Sequence, residues 1–340
     1  MWKKLTNKQE SILVCEASLS KWKYSPWLTL LIMLGLLWGT QYLMGTLLLF
    51  PTFLTVFPKI MQGISANDPL DSFRIASDLV EEMPSWYFQL QLFLTAFEIL
   101  MPILVCRLAE RRSLLSMGFT REKGLRRFAA GYGIGVLLIV CSVGICLAFG
   151  IVRISANSSL GTVILPVLIY FLGYLIQGTA EETLVRGFFF ISLSVGIRRK
   201  DAPLWACLIS AFLFALMHVA NPGMTLLSFL NIFLAGLMLA LFMYRFDNIW
   251  IAAGLHAAWN FTQGQIFGYG VSGLAAKESI FTVTLSDNAL LHGGSFGLEG
   301  GLAVTAVQLI AIALLFLIPY QKDFDAAGYI RTRREEQKAA

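Results

Sequence analysis

Eight apolar runs, near 27–50, 86–106, 129–152, 162–185, 204–220, 224–244, 249–267 and 301–319, constrain how this chain can fold. Each is long enough, or nearly so, to cross about 30 Å of hydrocarbon at about 1.5 Å per residue. A bilayer offers no water to unpaired backbone groups, so runs of this length take up helices. Composition agrees: 57% of the 340 residues are hydrophobic and only 14% are charged, against about 25% charged in a soluble domain. The expected fold class is all-α, a polytopic membrane helix bundle of about eight transmembrane helices. Its parts are an N-terminal arm (1–26), a membrane domain (27–319) and a basic tail (320–340).

Charge sets the expected orientation. Of the 26 Lys and Arg residues, all but Lys59, Arg74, Arg153 and Lys277 fall in the N-terminal arm, the 107–128 connection, the stretch from Arg186 to Lys200, Arg245 and the tail. The positive-inside rule then places both termini in the cytoplasm and requires an even number of spans. The net charge of +5 reflects this topology and contact with lipid headgroups, and gives no case for nucleic acid as a partner. The arm is long and polar and the first apolar run outlasts a signal peptide, which points to a retained anchor. The five cysteines (Cys15, Cys106, Cys141, Cys146, Cys207) are odd in number and lack a CxxC pair, so structural thiols are expected. The stretch 64–83 reads as a surface helix on the outer side, without chemistry of its own.

Ionisable groups in a membrane core cost roughly 2.5–3.5 kcal/mol each on insertion scales, so those present tend to have a task. The run 178–190, "GTAEETLVRGFFF", carries Glu181, Glu182 and Arg186. On a helix Glu182 and Arg186 share a face and can pair. Glu181 is rotated about 100° away and aligns with Gln177 and Tyr174. One glutamate therefore holds the arginine and the other is free to react. His218 and His256 lie in later runs, and His256 forms a polar ridge with Asn260 and Gln263. His292, in a glycine-rich outer stretch, reads as incidental. Taken singly, such groups also serve as hydrogen-bonding contacts between helices.

"EETLVR" (181–186), "FALMH" (214–218) and "HAAWN" (256–260) fit, in order, the EExxxR, FxxxH and HxxxN motifs of the CPBP family, the CAAX proteases and bacteriocin-processing enzymes also known as Abi. The resemblance covers about 165–268, and the type II CAAX prenyl endopeptidases, which are intramembrane proteases, are its best-known members. The resemblance implies a membrane-associated peptide or protein substrate, such as a lipidated CAAX tail or a leader peptide. It implies Glu181 as the general base activating a water shared with His218, and His256 and Asn260 as donors to the oxyanion. Glu182 and Arg186 would be structural support.

A metal reading of the same residues takes Glu181, His218 and His256 as three zinc ligands with water in the fourth position. The chain has no HExxH, and such a site would consume the glutamate needed as base, so no cofactor is the preferred expectation. A transporter or proton-coupled carrier, or a non-proteolytic scaffold, would also use buried polar groups, but here those groups concentrate in runs four, five and seven. "GVSG" (270–273) formally matches the GxSG of rhomboid-type serine proteases, yet no histidine follows on the last run to serve as its base.

Overall fold

The structure, a computed structural model, describes residues 1–7, 10–20, 24–63, 83–318 and 325–339. The stretch expected to form a surface helix, 64–83, lies outside the described residues except for Met83. The N-terminal arm folds into two short helices, α1 (Trp2–Thr6) and α2 (Ile12–Ser18). The first apolar run is α3 (Pro26–Gly63), and the second is α4 (Ser85–Leu94) followed by α5 (Ala96–Leu104). The third is α6 (Gly124–Ala148). The fourth is α7 (Leu160–Glu182), which passes through a π-helical stretch, Thr183–Phe190, into α8 (Ile191–Gly196). Runs five to seven are α9 (Ala202–Met217), α10 (Leu226–Phe246) and α11 (Ile249–Phe261), the last extended by a π turn. A short α12 (Ala289–His292) precedes the eighth, α13 (Leu302–Leu317), and α14 (Ala326–Ala339) closes the described chain.

All eight apolar runs are thus helical, and the fold is the all-α membrane bundle expected. Among the described residues, five helices are long and apolar enough to cross a membrane: Pro26–Leu54, Ser85–Ala109, Gly124–Ala148, Leu160–Gly196 and Leu226–Phe246. Ala202–Met217 and Leu302–Leu317 are shorter apolar helices. Large apolar side chains face outward, as a lipid-embedded surface requires: Trp38 is 73% exposed and Phe50 70%.

Helix ends follow local chemistry. Thr225 caps α10 by accepting from the Ser228 N–H, and Asn248 caps α11 by accepting from the Trp250 N–H. Asp247, in the left-handed region (φ 47°), makes the sharp turn between these two helices. Two boundaries differ from the sequence expectation. Residue 51 is proline, which stops a pattern-based reading at Phe50, but α3 runs on through it. The fourth apolar run, drawn to Val185, belongs to a helix that continues through the buried Glu182–Arg186 pair to Gly196.

The segments assigned to the basic side meet at one end of the bundle. Lys4 pairs with Asp247, the Ser20 hydroxyl donates to the Glu110 carbonyl, and Ser113 donates to Glu16 Oε2 at 2.8 Å. The C-terminal helix joins them: Tyr329 and Arg333 both donate to Glu16 Oε1. Both chain termini therefore lie at the same end. Among the described residues, the one sheet is β1 (Val152–Ala156) antiparallel to β2 (Phe281–Leu285), with Val152 opposite Leu285.

Candidate active site

Backbone proximity builds the site. A Cβ placed on Gly254 would stand 2.1 Å from the Phe128 carbonyl oxygen, and one on Gly178 would stand 2.7 Å from the Ala257 nitrogen. Only glycine allows these approaches, so α11 lies against both α6 and α7 at backbone distance. This brings His256 and Asn260, on α11, alongside Glu181 and Glu182 at the end of α7.

Glu182 and Arg186 are fully buried and paired as expected, Arg186 Nη1 to Glu182 Oε1 at 2.8 Å. The guanidinium also donates to the Gly236 carbonyl of α10 at 3.1 Å and lies 4.3 Å from the Phe214 ring centroid of α9. Arg186 therefore ties three helices together. The sequence did not reveal a second duty of the carboxylate: His256 Nδ1 lies 2.9 Å from Glu182 Oε1. That contact turns His256 Nε2 toward Glu181 Oε2, 3.8 Å away.

Glu181 is 15% exposed at its side chain. Gln177, one turn back, donates to its Oε1, while Oε2 is buried with no hydrogen-bond partner among the described residues. Asn260 Nδ2 donates to Gln177 Oε1 at 3.0 Å. Gln177 was legible as part of the polar stripe, but its bridge between Asn260 and Glu181 was not. At the end of α9, His218 Nδ1 lies 2.8 Å from the Phe214 carbonyl oxygen. With Nδ1 so engaged, Nε2 is the nitrogen left for the cavity.

Glu181, His218, His256 and Asn260 all line one cavity of about 700 Å³. The fourth helix continues well past Glu181 and carries it inside the bundle, while His218 sits just beyond a short fifth helix.

Other polar residues have structural partners. Glu299, which no motif signalled, accepts from the Ser272 N–H at 2.6 Å, the Ser272 hydroxyl at 3.1 Å and Gln263 Nε2 at 3.2 Å. Gln263 is thereby directed to the outer loops and away from the His256–Asn260 pair. Ser272, the serine of the GxSG match, has its hydroxyl on Glu299 and no hydrogen bond to a histidine among the described residues. His292 is buried, with Nε2 on the Ser286 carbonyl and Nδ1 accepting from Gly294, a loop-holding role. All five cysteines are free, and all but Cys141 are buried. Among the described residues, no three His, Cys, Asp or Glu side chains converge closely enough to hold a metal ion. Glu181, His218 and His256 share the cavity without forming such a cage.

A family model described as Rce1-like, type II CAAX prenyl endopeptidase, matches residues 162–262. Over this segment the chain is similar to the CAAX protease family. The matched segment runs from α7 to the π turn after α11 and contains Glu181, Glu182, Arg186, His218, His256 and Asn260. With five helices among the described residues long and apolar enough to cross a membrane, the protein is a multi-pass membrane protein. No curated protein and no solved structure matches the chain.

Proposed function

We propose that the protein is an intramembrane endopeptidase that hydrolyses a peptide bond of a membrane-associated substrate with a water activated by Glu181. The observation that carries this reading is the single cavity shared by Glu181, His218, His256 and Asn260, with Glu181 Oε2 free of hydrogen bonds among the described residues.

In this reaction the Glu181 carboxylate takes a proton from a water held between it and His218. The water oxygen bonds to the scissile carbonyl carbon, and the C=O electron pair moves onto oxygen. Asn260 Nδ2–H, and Nε2–H of a doubly protonated His256, stabilise that oxyanion, where donors in a water-poor site act strongly. Collapse breaks the C–N bond, and the proton on Glu181 passes to the leaving nitrogen. Glu182 and Arg186 position His256. No step requires a metal.

The cavity wall also carries Leu213, Met217, Ile232 and Met238, which suit the apolar part of a lipidated CAAX tail or a leader peptide. The basic segments gathered at one end favour a cytoplasmic location for both termini.

The test is mass spectrometry of anchored peptides incubated with the protein in proteoliposomes. Wild type should release defined fragments, and Glu181→Gln, which keeps shape but cannot accept the proton, should lose roughly 10²–10⁴-fold in rate. Equal cleavage by wild type and variant would refute the assignment of Glu181.

A further inference from the structure

The cavity has a second carboxyl group that the proposed hydrolysis does not use. Glu98, on α5, is only 2% exposed and lines the same cavity as Glu181. Gln41 Nε2, from α3, donates to Glu98 Oε1 at 2.9 Å and fixes the carboxyl in place. No cation pairs with Glu98 among the described residues. Gln91 and Thr95, seven and three residues before it, line the cavity as well, so a polar stripe of the second span faces the polar stripe of α7.

A carboxyl held this way in a water-poor space is costly unless a donor reaches it. Two further observations indicate what kind of donor. Gln265 is 2% exposed, lines the cavity, and its Oε1 has no hydrogen-bond partner among the described residues. The unmatched polar atoms of the cavity, Glu181 Oε2 and Gln265 Oε1, are thus both acceptors. The wall also carries three carboxyl groups, Glu98, Glu181 and Glu299, beside Lys277 and the two histidines. Lys277 itself lies over the Phe88 ring, 5.0 Å from its centroid. A ligand complementary to this wall brings N–H donors and positive charge.

We propose that Glu98 is a specificity-determining subsite that receives the ammonium or guanidinium of a basic residue on the substrate peptide. The inference rests on the endopeptidase reading, because it takes the ligand to be that substrate. A neutral backbone N–H would satisfy one oxygen, but a carboxyl held by Gln41 on a wall shared with Glu181 is better matched by a cation, whose charge-assisted hydrogen bonds favour its ionised form.

The experiment measures binding apart from turnover. The full chain carrying Glu181→Gln, which binds without cutting, is compared with the same chain also carrying Glu98→Gln, both in an uncharged maltoside detergent. The probes are lauroyl-anchored hexapeptide amides with one lysine moved through each position, each paired with its norleucine twin, and affinities are read by thermophoresis. At one position lysine should bind roughly tenfold or more tighter than norleucine. Glu98→Gln should bring that ratio close to one while norleucine binding stays unchanged. A ratio near one at every position, a preference that survives Glu98→Gln, or loss of norleucine binding in that variant would each overturn the assignment. Because binding is read without cleavage, a wild type that cuts no probe while the preference holds defeats only the endopeptidase reading. Cleavage without preference defeats only the subsite.

Discussion

Glu182 and His256 face each other across α7 and α11, with Oε1 and Nδ1 2.9 Å apart. The same oxygen takes the Arg186 guanidinium at 2.8 Å. One buried atom thus fixes both the arginine that ties three helices together and the imidazole that faces Glu181. Two glutamates adjacent in sequence point in directions about 100° apart, and that rotation separates a buried, paired carboxylate from one that lines the cavity.

Arg186→Ala should therefore unsettle more than a local pair. It removes the guanidinium that ties Glu182 to α9 and α10, a loss of about 3–5 kcal/mol for a broken buried pair. Thermal unfolding in detergent should show a lower midpoint, and cleavage should fall with it. A variant with the wild-type midpoint and rate would show that the pair carries no weight.

Asn260→Ala should act on the chemistry instead. Removing one oxyanion donor costs about 10²–10³ in kcat, with the unfolding midpoint close to wild type. The comparison is steady-state cleavage beside thermal unfolding. A large midpoint shift without a rate defect would place Asn260 among the structural contacts.

The helix contact around Gly254 gives a steric prediction. In Gly254→Val the new Cβ meets the Phe128 carbonyl oxygen, 2.1 Å from its ideal position. α11 has to retreat, at a cost of about 1–3 kcal/mol for overpacking, taking His256 away from Glu182. Cleavage and midpoint should both drop, and an unaffected enzyme would mean that this close approach is dispensable.

The bundle and the motif residues were legible because hydropathy and helical spacing are properties of neighbours in sequence. The pairing of Glu182 with Arg186 was legible for the same reason. What could not be read was contact between distant segments: Glu182 with His256, Asn260 with Gln177, and Glu299 with Ser272. Glu98 was passed over because a lone carboxylate in an apolar run has no local partner to mark it. The fourth helix was drawn too short because its boundary was set by the apolar run alone, although Glu182 and Arg186 were already read as a pair.

Acid should loosen the C-terminal helix. Burial pushes the Glu16 carboxyl up, but hydrogen bonds from Arg333, Tyr329 and Ser113 outweigh it and hold the group below its ordinary value. A depressed carboxylate contributes stability that is fully present above its unfolded value, about 4.3, and is lost as pH falls through the folded one. Hydrogen exchange of 326–339 should be slow at neutral pH and rise only in strong acid. Glu16→Gln should raise it at neutral pH, and identical exchange in the two proteins would rule out the latch.

Metal removal should leave activity intact. Purified protein dialysed against a strong chelator should cleave at the untreated rate, and elemental analysis should find no stoichiometric zinc. Zinc lost in step with activity would assign Glu181, His218 and His256 to a metal instead.

The line from Asn260 through Gln177 to Glu181 has a consequence for the resting enzyme. Under the proposed hydrolysis, the oxyanion donor and the base would be joined by one amide. An incoming carbonyl would compete for an Asn260 N–H, free the Gln177 oxygen, and let that amide reorient against Glu181. A single side chain would then relay to the base that the carbonyl has arrived.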